Sequence, residues 1–204
     1  MAGNVATGEG AWKLIEAGAD SIRLGIGNGS ICITRIVSGS GVPQLSALLS
    51  VVPICKEYKI PLISDGGNKN SGNMCKALAL GADCLMLGRL LAGTDSSPGD
   101  AFLKNGQFMK IHRGMAGYGA NLSKAQKMKK KAPDSINFTP EGVEGYVHYS
   151  GKLKDVINRF VMGIWSGMSY MGAWNLKELW EKAKFTIISS NSGLMSKVHG
   201  IKKY

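Results

Sequence analysis

Short apolar runs that stop at glycine recur along the first half of the chain. They are rich in branched residues and only a few residues long, a pattern typical of buried β-strands. The runs are SIRLG (21–25), IPLISDGG (60–67) and CLMLG (84–88). The sequence therefore predicts three short strands, each followed directly by a glycine turn.

Amphipathic segments alternate with these strands. Apolar residues recur at helical spacing in EGAWKLIEA (9–17), in the segment 44–58 and in SGNMCKALAL (71–80). Gly18 and Gly81 follow two of these segments, where a left-handed residue commonly ends a helix. We therefore predict three helices, two of them closed by these glycines.

An internal repeat supports this order of elements. LIEAGADSIRLGIG (14–27) and ALALGADCLMLGRL (77–90) share Gly-Ala-Asp, four mostly apolar residues and a glycine. Alternating helices and strands require parallel strands joined by crossover helices, and ligands bind at the carboxyl ends of such strands. Because those ends carry glycine turns rich in backbone N–H groups, we expect a phosphorylated ligand there.

The second half of the chain has a different pattern. The segment 103–140 is long and polar and is predicted to be a loop or flap region. Residues 149–185 are predicted to form two helices broken near Gly172. Val156, Phe160, Ile164 and Met168 share one helical face, which favours a role in the core over contact with a cofactor.

Charge and composition argue against nucleic acid and membranes as partners. The net charge is +11, and part of it lies in SKAQKMKKK (123–131), which has no interleaved aromatic residue. A solvated loop explains that run better than a nucleic-acid site, so we expect no nucleic-acid partner. No apolar stretch approaches the roughly 20 residues of a membrane span, which predicts no membrane association. Four cysteines without a Cys-x-x-Cys pair indicate a reduced, cytoplasmic protein.

One loop concentrates the candidate chemistry. GIGNGSICITRIVSGSGVPQ (25–44) places five glycines around Cys32, after one strand and before a helix. It closely resembles the active-site loop of the IMP dehydrogenase and GMP reductase family. Further segments resemble the family in the same order: GNVATGEGAWKLIEAGAD, ISDGG, LMLGRLLAGTDSSPGD, HRGMAGYGA, PEGVEG and SGMSYMGAWNLKELWEKAKF. The resemblance covers nearly all 204 residues.

The resemblance implies an α/β fold, the C-terminal half of a (β/α)8 catalytic barrel spanning residues 1–204. GNVAT matches the turn after the fifth barrel strand, and the three predicted strands match the sixth to eighth. The regulatory insert of many family members is absent. A homotetramer is implied for the complete protein, or pairing with a missing N-terminal half.

The resemblance also implies an activity. In the family a cysteine thiolate attacks C2 of IMP, hydride passes to NAD, and the thioimidate is hydrolysed to XMP. PEGVEG and SGMSYMGA are nearer to the dehydrogenase than to the reductase. Two alternatives stay open: a GMP reductase that uses NADPH and releases ammonia, and a truncated paralogue that binds nucleotide without turnover.

Individual residues match the family's functional positions. Cys32 matches the nucleophile, the alternative being a buried apolar cysteine. Thr34 and Lys127 are the other catalytic candidates. The family's substrate-binding positions correspond to Ser30, Asp65, Gly66, Gly67, Gly88, Arg89, His112, Gly114, Met115 and Glu141. Its cofactor-binding positions correspond to Asn4, Arg23, Gly25 and Thr34. The resemblance also implies a potassium site formed by the carbonyls of Gly27, Gly29 and Cys32.

Several positions depart from the family pattern. Arg89 stands where a small residue is usual, and His112 where a tyrosine is usual. The flap lacks the arginine–tyrosine pair that activates water, with Lys127 and Met128 near its place. The segment SGLMSKVHG also differs from the residues that complete the potassium site. For Asp65 and Arg23, a capping aspartate and a solvent-facing arginine remain alternatives.

Overall fold

Four short parallel strands form the centre of the molecule. The computed structural model describes residues 1–129, 138–196 and 198. The strands pair in the order in which they occur in the chain, with Ile22 opposite Leu62 and Ile63 opposite Cys84. They are β1 (Ala2–Val5), β2 (Ile22–Leu24), β3 (Leu62–Asp65) and β4 (Cys84–Met86).

Helices cover one face of this sheet, as parallel pairing requires. The long ones are α1 (Gly8–Glu16), α3 (Gln44–Glu57) and α4 (Ser71–Ala79), with the one-turn helices α2 (Thr34–Val37) and α5 (Arg89–Ala92) near the strand ends. The core lies between this face and the helices, where the fully buried side chains include Ile22, Leu24, Leu48, Val51 and Leu62.

The helix ends follow the sequence signals. Thr7 and Asn70 cap α1 and α4, each through a side-chain oxygen that accepts a backbone N–H. Gly18 and Gly81 have φ values of +88° and +111°, which confirms the predicted left-handed positions. The apolar and polar pattern therefore predicted the three crossover helices well.

The strand β1 was not predicted, because Gly3 and Asn4 are residues typical of a turn. The structure instead pairs Ala2 with Ile22 and Gly3 with Arg23. A Cβ atom on Gly3 would lie 2.3 Å from the carbonyl oxygen of Arg23. Glycine is present here because two backbones approach closely, so the interpretation of GNVAT as only a turn is wrong.

Two strands of a second sheet and a helix lie in the segment 103–140 that was predicted as a loop. The sheet is antiparallel and consists of β5 (Phe102–Lys104), β6 (Gln107–Arg113) and β7 (Glu144–His148). The helix α6 (Tyr118–Lys127) lies between β6 and β7 in the chain. Strand β6 pairs with β5 through a hairpin that turns at Asn105 and Gly106, a local signal that the prediction overlooked. Its other partner, β7, is some thirty residues away, which a local pattern does not reveal. Residues 130–137 of the predicted flap lie outside the described residues.

The C-terminal helices confirm the predicted break. They are α7 (Leu153–Tyr170), α8 (Leu176–Lys182) and α9 (Ser190–Met195), and Gly172 has a φ of +62°. Val156 and Met168 are buried, and Met168 packs with Leu78 of α4 and Leu179 of α8. This apolar face of α7 therefore belongs to the core, as the sequence indicated.

Both edges of the parallel sheet are open within the described part of the chain. Strand β1 pairs with β2 alone and β4 pairs with β3 alone, so these residues form an α/β unit without a closed barrel. Cys84 is exposed because it lies on the edge strand β4. Across the described ranges, no helix is both long and apolar enough to cross a membrane.

Substitution of Gly25 by alanine is expected to destabilise the fold strongly. Gly25 has a φ of +141°, and an added Cβ would lie 2.0 Å from the Asp65 carbonyl oxygen. We expect Gly25→Ala to lower the free energy of unfolding by about 3 kcal/mol or more, measured by urea denaturation.

Gly18→Ala is the matched control, because its φ is also positive but no atom lies within 4 Å of the added Cβ. Its cost should stay near 1 kcal/mol, the strain of the left-handed conformation alone. Equal losses for the two variants would contradict the steric argument.

Candidate functional site

A cleft of about 410 Å³ opens at the carboxyl ends of the parallel strands. It brings together every predicted site residue except Lys127, the last residue of α6. The predicted residues that line it are Asn4, Arg23, Gly25, Gly27, Gly29, Ser30, Cys32, Thr34, Asp65, Gly66, Gly67, Gly88, Arg89, His112, Gly114, Met115 and Glu141.

A carboxylate joins three strand ends at the base of the cleft. Asp65 Oδ2 accepts hydrogen bonds from Asn4 Nδ2 at 2.8 Å and from Arg23 Nε at 2.9 Å. Arg23 also forms an ion pair with this oxygen, and Asn4 Nδ2 donates to the Gly25 carbonyl at 2.9 Å. Asp65 is therefore not a capping residue, and Arg23 does not point freely into solvent. Within the described residues Oδ1 has no donor, so it is free to accept hydroxyl groups of a ligand.

The cysteine belongs to a hydrogen-bonded chain of three side chains. Cys32 Sγ donates to Thr34 Oγ1 at 3.1 Å, and Thr34 Oγ1 donates to Glu141 Oε2 at 2.7 Å. Hydrogen bonds of this kind allow a proton to move between a nucleophile and a base. The thiol can therefore lose its proton to a carboxylate through one hydroxyl group.

Backbone hydrogen bonds hold the three loops of this site together. The Ile33 amide donates to the Glu141 carbonyl at 2.8 Å, and the Val143 amide donates to the Ile31 carbonyl at 3.0 Å. The Glu141 amide donates in turn to the Ala116 carbonyl at 3.1 Å. The cysteine loop, the HRGMAG segment and the PEGVEG segment therefore form one wall. Met115 on this wall is 80% exposed, available to contact a bound ring.

A basic region lies at one end of the cleft. Arg89 begins α5, which packs against β6 and so brings the guanidinium close to His112. Burial lowers the pKa of His112, and the nearby Arg89 charge lowers it further. Within the described residues Arg89 forms no ion pair with an acidic side chain, so its charge is available to an anion.

The proposed potassium site rests on backbone oxygens alone. The Gly29 carbonyl accepts the Cys32 amide at 3.2 Å, while the Gly27 and Cys32 carbonyls accept no backbone hydrogen bond from the described residues. Three carbonyls do not replace the hydration shell of a cation, so the loop by itself does not complete such a site. The described part of the chain also has no cluster of three His, Cys, Asp or Glu side chains suited to a metal.

The other cysteines are separate from the cleft. Burial, together with the nearby Asp83 charge, raises the pKa of the Cys55 thiol to about 11, and burial raises the pKa of Cys75. These thiols are therefore poor nucleophiles, as expected for core cysteines. Cys84, by contrast, is exposed at the edge of the sheet.

Four polar residues of the cleft were not identified from the sequence: Asn28, Asn68, Lys69 and Arg113. Each lies within or next to a motif that was recognised, the cysteine loop, ISDGG or HRGMAGYGA. Their positions beside these motifs could have identified them, because the motifs themselves mark only the central residues.

Comparison with known proteins identifies the relatives of this chain. Residues 1–199 match the model of the IMP dehydrogenase / GMP reductase domain. GMP reductase of Leishmania donovani is 48% identical over 204 residues, covering 100% of this chain and 42% of the relative. Inosine-5'-monophosphate dehydrogenase of Aquifex aeolicus is 50% identical over 201 residues, covering 98% and 41%.

A solved structure agrees with this result. It is a cysteine-to-alanine variant of GMP reductase from Trypanosoma brucei in complex with guanosine 5'-monophosphate. The TM-score is 0.92 at 45% identity, covering 98% of this chain and 40% of the other. The chain therefore spans about two fifths of the length of the relatives that it matches.

Removal of the Arg89 charge is expected to raise the pKa of His112. A nearby cation disfavours protonation of the imidazole, so Arg89→Ser should move its titration midpoint upward. The midpoint should still lie below 6.5, because the burial of His112 remains. An NMR titration of the imidazole measures it.

Arg159→Ser removes a cation from α7, outside the cleft, and should leave the His112 midpoint unchanged. A downward shift in Arg89→Ser would contradict the assigned electrostatic contact.

Proposed function

The chain belongs to the IMP dehydrogenase / GMP reductase family, and on that premise we propose that it carries the thiol and the nucleotide site of an enzyme that transfers hydride at C2 of a purine 5'-monophosphate. The members of this family are oxidoreductases. The observation that carries the proposal is the chain of hydrogen bonds from Cys32 through Thr34 to Glu141, inside one cleft with Asp65 and Arg89.

The first candidate reaction is the oxidation of IMP to XMP with NAD. The Cys32 proton passes through Thr34 to Glu141, and the thiolate sulfur bonds to C2 of the purine. NAD, held near Asn4, Arg23 and Gly25, would accept the C2–H electron pair as hydride. Water then adds to C2, the carbon–sulfur bond breaks, and the thiol regains its proton as XMP departs.

Other residues of the cleft would hold the nucleotide. Asp65 Oδ1, which has no donor in the described residues, accepts the ribose hydroxyls. Arg89 pairs with the 5'-phosphate, which also approaches the amide of Ser30. Glu141 accepts from the purine N1–H, and Met115 packs against the ring. These contacts support a purine nucleotide as substrate.

The second candidate reaction is the reductive deamination of GMP with NADPH. One observation favours it. The segment 123–131 contains neither arginine nor tyrosine, so the usual activators of water for hydrolysis are absent from its sequence. The reductase reaction instead needs a proton for the departing amine, and Glu141 supplies one through Thr34. The thiolate sulfur would displace the amine at C2, and hydride supplied by NADPH would then add at C2 as the carbon–sulfur bond breaks and the thiol regains its proton.

We propose further that these residues form the second half of a (β/α)8 barrel. The open edges of β1 and β4 and the coverage of about two fifths of each relative support this. The remaining strands would come from a companion segment, covalently linked or separate, within a homotetramer. We also propose a potassium site in the complete protein and a catalytic role for Lys127. The proposed location is the cytoplasm.

A paired assay separates the candidates. The purified chain is incubated with IMP and NAD or with GMP and NADPH, and the absorbance of the reduced cofactor is followed. Cys32→Ser should lower the rate of either reaction by about a thousandfold or more. Cys84→Ser, on the edge strand outside the cleft, should leave the rate unchanged.

Alkylation of Cys32 provides the second readout. Protection of Cys32 by IMP or GMP without turnover would support nucleotide binding by a chain that is not catalytic alone. Equal labelling of Cys32 with and without both nucleotides would overturn the proposed site.

A further inference from the structure

We propose that Asn28, Arg35 and Gln44 act as a positioning unit that fixes the cysteine loop against the end of strand β3. The inference rests on the proposed function, since its consequence is the placement of Cys32 against a nucleotide held at Asp65. None of the three residues is required to touch the reacting atoms. They act by holding the loop that carries the thiol.

Asn28 is the centre of the unit. Its Nδ2 donates to the Val42 carbonyl at 2.8 Å and to Gln44 Oε1 at 2.7 Å. Its Oδ1 accepts from the Arg35 guanidinium, which also donates to the Val42 carbonyl at 3.1 Å. One side chain therefore connects the start of the loop, the helix α2 and the residues that precede α3.

Two further contacts attach this unit to β3. Gln44 Nε2 donates to Ser64 Oγ at 2.8 Å, and Ser64 is fully buried in the sheet. The Gly67 amide donates to the Asn28 carbonyl at 3.0 Å, which joins the loop to the turn that follows Asp65. The loop therefore has fixed contacts with the strand that presents the proposed ribose ligand.

Glycines leave the space that these side chains occupy. A Cβ on Gly27 or Gly41 would lie 2.7 Å or 2.6 Å from Arg35 Cγ. A Cβ on Gly66 would lie 2.9 Å from Asn28 Cβ. Much of the glycine content of the loop thus permits close packing of the positioning unit.

The loop needs such support because it has little regular structure of its own. Between Gly25 and Pro43 the only helix is the four-residue α2. The thiol must meet C2 of a purine whose ribose is bound at a different strand, and a misplacement of about 1 Å can cost a hundredfold in rate. Loss of the unit should therefore affect nucleotide-dependent chemistry at Cys32 more than the fold.

The test measures iodoacetamide labelling of Cys32 by peptide mass spectrometry, across a series of IMP and GMP concentrations. The variants are Asn28→Ala, Gln44→Met and the double variant. We expect each single variant to raise the half-protecting nucleotide concentration about tenfold or more. The double variant should resemble the worse single variant, because residues that act as a unit are not additive.

Two controls separate positioning from general destabilisation. Asn158→Ala removes an exposed asparagine from α7 and should leave the protection unchanged. Labelling of the buried Cys55 in the same samples should stay at the wild-type rate in every variant. A faster Cys55 reaction that accompanies the loss of protection would overturn the inference in favour of unfolding.

The outcomes distinguish this inference from the proposed function. Protection in the wild type that persists unchanged in Asn28→Ala overturns the positioning role alone. Absence of protection in the wild type overturns the proposed function. Where turnover is measurable, kcat should fall at least tenfold in Asn28→Ala, in addition to a rise in KM that matches the weaker protection; a change in KM alone would contradict the role.

Discussion

Parallel pairing of β1 to β4 brings the carboxyl end of every strand to one edge of the sheet. The cleft depends on this constraint, because Asn4, Arg23 and Asp65 come from three different strands and meet at one carboxylate. The backbones must also approach closely, which explains the glycines at positions 3 and 25. A side chain at either position would separate the strands whose ends form the site.

The charges of the cleft are arranged unevenly. Arg23 is paired with Asp65, and part of the cost of holding that carboxylate in a half-buried place is offset by the pairing. Arg89 has no acidic partner in the described residues and lies beside a histidine that resists protonation. The basic end therefore attracts an anion, while the paired end offers hydrogen bonds to neutral groups.

Local patterns predicted the helices and most strands of the parallel sheet, whereas the family resemblance predicted residues that the fold brings into one cleft. Helices α1, α3 and α4 follow from apolar spacing, and Gly18 and Gly81 from the need for a left-handed residue at a helix end. The resemblance of the cysteine loop to a known family led to the residues that line the cleft.

The features that sequence reasoning missed depend on distant contacts. Gly3 and Asn4 have turn propensities that the pairing of β1 with β2 overrides. Strand β6 also pairs with β7, on the far side of a helix and of residues 130–137. The role of Asn28 depends on its hydrogen bonds with Val42, Gln44 and Gly67, which its place in the sequence does not reveal.

The hydrogen bond between Thr34 and Glu141 joins residues 107 positions apart. Such a contact is slow to form, because the intervening chain must be ordered before the two groups meet. During synthesis from the N-terminus, the cysteine loop emerges long before its carboxylate partner. The nascent thiol thus has no base beside it until the second sheet has folded, which delays its activation until the site that uses it is assembled.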